Sequence, residues 1–264
     1  MSHAVLFTEF PLDRLEAVAT AVGQVYQIPD FDVRARLHRG WGFLERDVPA
    51  DRAEQVVRAL AERGVGAVAI ANADLRSPGD PQVMMGFEPG ADGFVPRLRS
   101  PQAPALNVAW TEVAILAAGS FTEELIRRES GGPEKSGASQ LIGLGLFLAT
   151  GIPTRGLLGG RKQQAKEVKS KRLVTFGQII IAGAESLCFN LDGFDFSGLG
   201  PQKQVNATLN FRALIAEFAR RSGARLNLGA RMVLENKSMS LANYQSTQDF
   251  ETELRWMLNT TPAN

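Results

Sequence analysis

The chain has 264 residues, of which 44% are hydrophobic and 22% charged, a composition typical of one large globular domain or two modest ones. Its formal net charge of +1 excludes an overall electrostatic attraction to nucleic acid or to an anionic membrane. The single cysteine, Cys188, excludes an internal disulfide and a cysteine-rich metal site. The N-terminus lacks the basic region and the apolar run of a secretory signal, so we expect a cytoplasmic protein.

The first 78 residues predict two helices that alternate with four strands. Apolar residues recur at helical spacing after Pro11, and a second amphipathic helix opens at Pro49 and stops at Gly64. The predicted strands cover Ala4–Phe10, Asp32–Arg39, Gly42–Val48 and Val65–Leu75. The order βαββαβ is that of a ferredoxin-like domain, which we expect to comprise residues 1–78.

A Pro- and Gly-rich linker, Arg76–Pro81, separates this unit from a second one with short strands. The stretch Asn107–Phe121 predicts a strand with a break near Thr111–Glu112. Ser120 and Glu123 then have the spacing of a capping box, which predicts a helix of about two turns.

Apolar strands resume after the basic segment that ends at Arg172. Leu173–Gly183 and Ser186–Phe194 predict a strand pair with a turn near Ala184–Glu185. An amphipathic helix that stops at Gly223 follows, and Ser246 with Asp249 resembles a capping box at the start of the last helix.

The stretch AWTEVAILAAGSF, together with the later strand pair and the helices after it, resembles a pleckstrin-homology-like (PH-like) domain. The segments LCFNLDGFDFSGLG, NFRALIAEFARRSGARLNLGARMVL and DFETELRWML are also similar to uncharacterised bacterial two-domain proteins with a short α/β unit upstream. The resemblance implies an α+β chain with a ferredoxin-like domain at 1–78 and a PH-like β-barrel or sheet domain with C-terminal helices at 79–264. It also implies an insertion at about residues 123–172, and it supplies neither an activity nor catalytic residues.

The residue types needed for catalysis or metal binding are sparse. His3 and His38 have no ligand spacing to each other or to a cysteine, and Cys188 within an apolar strand predicts a buried thiol with a raised pKa. Ser120 has no nucleophile elbow around it, and Asp192-Gly193 predicts a turn rather than a cation site. We therefore expect no cofactor and no metal, and favour a protein that is not an enzyme.

The clearest anomaly is the segment from Arg155 to Arg172, which carries seven positive charges against the single acid Glu167. Its glycines and Lys162 do not form a P-loop, because no Ser or Thr follows the lysine and no strand precedes it. The run predicts either a solvated loop or a short basic helix, in which every third or fourth residue would share one face.

Leu141–Ile152, just before this segment, is apolar over twelve residues, which is short of the ~20 that cross a bilayer. We interpret the two stretches together as a contact surface for a protein partner, apolar first and cationic second. The predicted interaction residues are Leu141, Leu144, Phe147, Leu148, Arg161, Lys162, Lys166, Lys169, Lys171 and Arg172. The leading hypothesis is a non-catalytic interaction or scaffold module, with nucleic acid and membrane disfavoured as partners.

Two alternatives stay open. One is a cleft between the domains that binds a small ligand or carries out catalysis, with Arg34, Arg36, His38 and Glu45 converging from neighbouring strands. The other is weak binding of nucleic acid or another anion by the lysine-rich segment, for which steep salt dependence is expected.

Overall fold

Over the residues that the structure describes, the protein is a mixed α+β protein with two β-sheets. The computed structural model describes residues 1–11, 13–37, 41–100, 103, 106–129, 166–183, 185–238 and 243–260. The strands are β1 (Ser2–Phe7), β2 (Phe43–Pro49), β3 (Ala67–Ala71), β4 (Gln82–Pro89), β5 (Gly93–Leu98), β6 (Val108–Ala109), β7 (Val113–Glu129), β8 (Lys166–Ile181), β9 (Ser186–Asn190), β10 (Arg225–Leu226) and β11 (Asn243–Tyr244). The helices are α1 (Leu15–Tyr26), α2 (Asp30–Leu37), α3 (Ala50–Ala61), α4 (Ala207–Ser222), α5 (Leu228–Leu234) and α6 (Thr247–Thr260).

The first sheet contains three antiparallel strands in the order β2-β1-β3. Successive side chains of β1 point to opposite faces, so Val5 and Phe7 pack against α1 and α3 while Ala4 and Leu6 pack against α6. All four side chains are at most 1% exposed. The central strand therefore supplies residues to two separate hydrophobic cores.

The strand predicted over Asp32–Arg39 is wrong, because the described part of this stretch lies in helix α2. Pro29 and Asp30 supply the helix-start residues, and the Asp30 carboxylate accepts a hydrogen bond from Thr20 Oγ1 at 2.8 Å. Val33 and Leu37, which fit an alternating pattern, are also four residues apart and are both buried. An i, i+4 pair fits a helix as well as a strand, and packing against α1 decides between them.

The larger sheet has eight strands, seven of them in the order β10-β7-β8-β9-β4-β5-β6, and β11 also pairs with β7. The pairs β8–β9 and β4–β5 are antiparallel, and β9 joins β4 in parallel. The predicted strand pair after the basic segment is thus confirmed. No closed barrel forms among the strands that the structure describes.

The helix predicted after Ser120 is wrong, because β7 continues through this position to Glu129. Ser120 is fully buried and pairs with β11 rather than capping a helix. The local capping pattern is overridden because β7 gains hydrogen-bonded neighbours along its length. The predicted break near Thr111–Glu112 is confirmed as a 3-10 turn over Trp110–Glu112 that separates β6 from β7.

The two predicted amphipathic helices are confirmed. In α4, Asn206 caps the first turn by accepting hydrogen bonds from the Thr208 and Leu209 amides, and Gly223 ends the helix at a φ of 64°. In α6, the Ser246 amide donates to the Asp249 carboxylate and the Asp249 amide donates to the Ser246 hydroxyl, both at 3.2 Å. The predicted apolar faces are buried, and they comprise Phe211, Leu214, Ile215 and Phe218 in α4 and Phe250, Leu254, Met257 and Leu258 in α6.

Trp256 of α6 joins the last helix to the first sheet. Its indole Nε1 donates a buried hydrogen bond of 2.6 Å to the carbonyl oxygen of Phe7. Its ring lies against Gly42, where a Cβ would be 2.1 Å from the indole and where φ is 89°. Position 42 therefore requires glycine both for backbone conformation and for space.

By its internal contacts the chain forms two compact units. The first, hereafter the body, contains Met1–Thr122 and Leu173–Asn264, and the second, hereafter the inserted unit, contains Glu123–Arg172. The predicted boundary at residue 78 lies within the body and stays a prediction.

We expect Trp256→Phe to lower the free energy of unfolding of the body by about 2–4 kcal/mol, because it leaves the Phe7 carbonyl buried without its donor and opens a cavity. Urea unfolding followed by far-ultraviolet circular dichroism measures the loss. Trp110→Phe is the matched control. Trp110 is also buried, but its indole donates a long hydrogen bond of 3.4 Å, and the acceptor is the carbonyl oxygen of the exposed Gly90. An equal or smaller loss for Trp256→Phe than for the control would contradict the proposed role.

Candidate interaction site

The two strands that lead into the inserted unit are anchored in the centre of the body. In β7, Ile115 and Ala117 face the core around α6, and Leu116 and Ala118 face the core around α4. All four are 0% exposed, whereas Thr122, near the end of the body, is exposed.

The neighbouring strand β8 shows the same gradient. Ile179 packs in the α4 core and Ile180 in the α6 core, while Lys171, Arg172 and Leu173 are exposed. The buried stretches fix both strands, and exposed residues occur at Thr122 in β7 and at Lys171, Arg172 and Leu173 in β8.

The structure describes the backbone of the last predicted contact residues. Lys166, Lys169, Lys171 and Arg172 belong to strand β8, so neither the predicted loop nor the predicted helix forms from Lys166 onward. This segment is extended because β8 is hydrogen-bonded to neighbouring strands, β7 on one side and β9 on the other. The other six predicted contact residues, Leu141, Leu144, Phe147, Leu148, Arg161 and Lys162, lie outside the described residues.

The residues of the predicted ligand cleft do not share a strand face. Arg34 lies in α2 and is 3.6 Å from the Glu16 carboxylate on α1, with both side chains at least half exposed. Glu45 lies in β2. The side chain of Arg36 and all of His38 fall outside the part of the chain that can be described.

A groove of about 650 Å³ lies between the 3-10 turns after β9 and the start of α4. Its two amide side chains are occupied with the backbone. The Asn210 side chain donates to the Gln204 carbonyl oxygen at 2.9 Å and accepts from the Gln204 backbone N–H at 2.6 Å, and the Gln204 side-chain amide donates to the Gln202 carbonyl oxygen at 3.2 Å. Lys203 and Asp192 are the charged residues of the lining, which also includes Phe194, Phe196 and Val205.

A buried polar cluster connects α5, β11 and α6 to β7. The Asn227 side chain donates to the Ala118 carbonyl oxygen and accepts from the Ala118 amide, both at 3.0 Å, so it acts as an additional strand partner of β7. Tyr244 donates a 2.5 Å hydrogen bond to Glu253, and the Leu228 amide donates to the other carboxylate oxygen.

We interpret this cluster as a set of stabilising hydrogen bonds between α5, β11, α6 and β7 rather than as a reaction centre. Burial, followed by the nearby Glu253 carboxylate, raises the pKa of Tyr244 far above its usual range. Asn227, Tyr244 and Glu253 are at most 4% exposed, and each is hydrogen-bonded to another member of the cluster. Sequence reasoning missed this cluster, although Asn227 directly before a helix is a recognisable cap signal.

Asp195 is an exposed residue whose carboxyl pKa is strongly lowered. Arg97 donates a short hydrogen bond to it from β5, and the Ser197 amide and hydroxyl donate at 2.9 Å each. The Arg97 hydrogen bond, with those from Ser197, lowers the pKa of Asp195 to about 2. The pair ties the segment after β9 to the β4–β5 hairpin.

The remaining candidates from the sequence are the Cys188 thiol, as a nucleophile, and the side chains that could bind a metal ion. Cys188 is half-buried in β9, and burial raises the pKa of its thiol, which keeps it protonated at neutral pH. Within the described ranges there is no group of three or more His, Cys, Asp or Glu side chains that could hold a metal ion. The helices described here include none long and apolar enough to cross a bilayer.

Comparison with known proteins gives no match. No protein-family model matches the sequence, no curated protein is significantly similar to it, and no solved structure matches it. Function therefore has to be argued from the residues of this chain.

We expect Arg97→Gln to raise the pKa of Asp195 from about 2 toward the ordinary 3.8, but not all the way, because the Ser197 donors remain. The sign follows from the depressed pKa: the pair stabilises the folded state above about pH 4 and loses this effect as the pH falls toward 2. Carboxyl ¹³C chemical shifts measured across a pH titration give the value directly. Arg99→Gln is the control, and an Asp195 pKa that is the same in both variants would refute the assignment.

Proposed function

We propose that the protein is a non-catalytic interaction module that binds a protein partner through the inserted unit, Glu123–Arg172. The observation that carries this proposal is the division of the chain: this segment is a compact unit by itself, and the strands β7 and β8, which run into it, have fully buried residues within the body. Binding residues are commonly carried by segments that connect the elements of a rigid scaffold.

The charge of the inserted unit supports an acidic protein surface as the partner. From Lys166 to Arg172 the sequence carries four cations and one anion, Glu167. Lys171 and Arg172 are exposed, and the exposed Leu173 follows directly. A cationic segment beside apolar residues combines electrostatic steering with burial of apolar area, as protein interfaces do.

For the body, we propose that residues 1–78 are a variant of the ferredoxin-like fold. The sheet order β2-β1-β3, with β1 antiparallel to both neighbours, is the order expected for that fold without its second strand. Helix α2 occupies the place of that strand in the sequence. This supports a ferredoxin-like unit in which one edge strand is replaced by a helix.

We also propose a PH-like relationship for the larger sheet. It is supported by the antiparallel β8–β9 and β4–β5 pairs and by α4, whose apolar face covers one side of the sheet. Neither fold identifies an activity, and the interaction proposal does not depend on them.

The experiment compares affinity capture by the full chain with capture by a variant in which Lys166, Lys169, Lys171 and Arg172 are replaced by Ser. We expect at least one captured protein to be lost with the variant, because the steering charges are removed. Quantitative mass spectrometry of the captured proteins, followed by calorimetric titration with the purified partner, measures the loss.

The matched control replaces Lys203 and Lys237, two lysines of the body, by Ser. Nuclease treatment and a series of salt concentrations separate a protein partner from nucleic acid, whose binding falls steeply with salt. The proposal fails if no protein distinguishes the two variants, or if capture disappears after nuclease treatment.

A further inference from the structure

Most sheet edges in the described part of the chain are protected against pairing with another strand. Strands β6, β10 and β11 each have only two residues. Strand β2 carries Glu45, Arg46 and Pro49, and its register against β1 is interrupted near Asp47, which has a φ of 58°. Short length, charge, proline and bulges are the devices that keep an edge from extending.

Strand β3 is an edge strand without these devices. It consists of Ala67, Val68, Ala69, Ile70 and Ala71, all half-buried, and it pairs with β1 without a register shift. No other described strand pairs with its outer side. It contains no charge, no proline and no bulge, so its backbone is a regular template for a further strand.

The register shows which backbone groups face outward. The Thr8 amide donates to the Gly66 carbonyl oxygen at 3.1 Å, which makes this a hydrogen-bonded pair. Hydrogen-bonded and non-hydrogen-bonded pairs alternate in an antiparallel ladder, so Val68 and Ile70 bond to β1. The N–H groups of Ala67, Ala69 and Ala71 and the C=O groups of Ala67 and Ala69 therefore point to the outer edge, while the Ala71 C=O accepts the first hydrogen bond of the 3-10 turn Asn72–Asp74.

The sequence of β3 is nearly symmetric about Ala69, with alanine at 67 and 71 and a β-branched residue at both 68 and 70. A two-fold axis through Ala69 would pair this residue with itself, Ala67 with Ala71, and Val68 with Ile70 of a second copy. The alanines, whose backbone groups face outward, are then the hydrogen-bonded pairs. Val68 and Ile70 already lie on one face of the sheet, against the α6 core, so the β-branched side chains meet across the axis.

We propose that β3 is a homodimerisation edge, on which a second copy of this chain pairs antiparallel to give one continuous six-stranded sheet. The outward alanines supply four backbone hydrogen bonds across the axis, two between the Ala69 residues and two from the Ala71 N–H groups to the Ala67 C=O groups. An isologous contact of this kind closes on itself, so it gives a dimer and not a fibre.

Ala71→Pro tests the edge with little disturbance of the fold. Ala71 has a φ of −61°, close to the value that proline imposes, and its N–H points away from β1. The substitution removes two donors per dimer, so we expect the dimer dissociation constant to rise about tenfold or more. Sedimentation velocity over a concentration series measures it, and Ala71→Val, which keeps the N–H, is the control.

Hydrogen exchange on the unmodified chain provides a measurement that no folding defect can confound. We expect the amides of Ala69 and Ala71 to be protected at concentrations where the dimer forms, and to lose protection on dilution. A chain that stays monomeric at high micromolar concentration would overturn the proposal. So would equal dissociation constants for the two variants, or a dimer in which the Ala69 amide exchanges as fast as a free edge.

Discussion

The fold depends on the burial of β7 and β8 on both faces. Each Ile or Leu side chain buried completely stabilises the folded state by roughly 1.5–3 kcal/mol, and these strands place such residues in two cores at once. Two buried polar contacts hold these strands: Gln178 of β8 donates to the Ser186 hydroxyl at 2.7 Å, and Asn227 bonds to both backbone groups of Ala118 in β7. Both strands continue into the unit Glu123–Arg172, since β7 ends at Glu129 and β8 begins at Lys166.

The hydrophobic core around α6 contains residues from both the N-terminal and the C-terminal part of the chain. Ala4, Leu6 and Phe43 of the first sheet share this core with Leu254 and Trp256 of the last helix. The Trp256 indole is hydrogen-bonded to β1, so the order of the first sheet and the position of α6 depend on each other. The body therefore behaves as one packed object even though its two sheets are predicted to belong to separate domains, a division that stays a prediction.

The sequence predicted those elements whose local signals agree with their packing. Helices α4 and α6 have caps and one apolar face, and the β8–β9 pair has a turn at the expected place. The predictions from the sequence were wrong where the same residue pattern is compatible with both a helix and a strand. Val33 and Leu37 suit a strand or a helix, and Ser120 with Glu123 imitates a helix start inside a strand whose partners are distant in sequence. The cluster of Asn227, Tyr244 and Glu253 could not be predicted because only the tertiary fold brings these residues together.

The candidate site was predicted from the composition of the sequence. The structure describes the backbone of four of its ten residues, and the other six lie outside the described residues, so the geometry of the whole site does not enter the argument. We propose that recognition occurs on Glu123–Arg172. Hydrogen–deuterium exchange of the full chain, alone and with a purified captured protein, tests this most directly. The account predicts that partner-induced protection concentrates in peptides from residues 123–172. Protection confined to the groove that includes Phe194, Lys203 and Asn210, with none in residues 123–172, would contradict it.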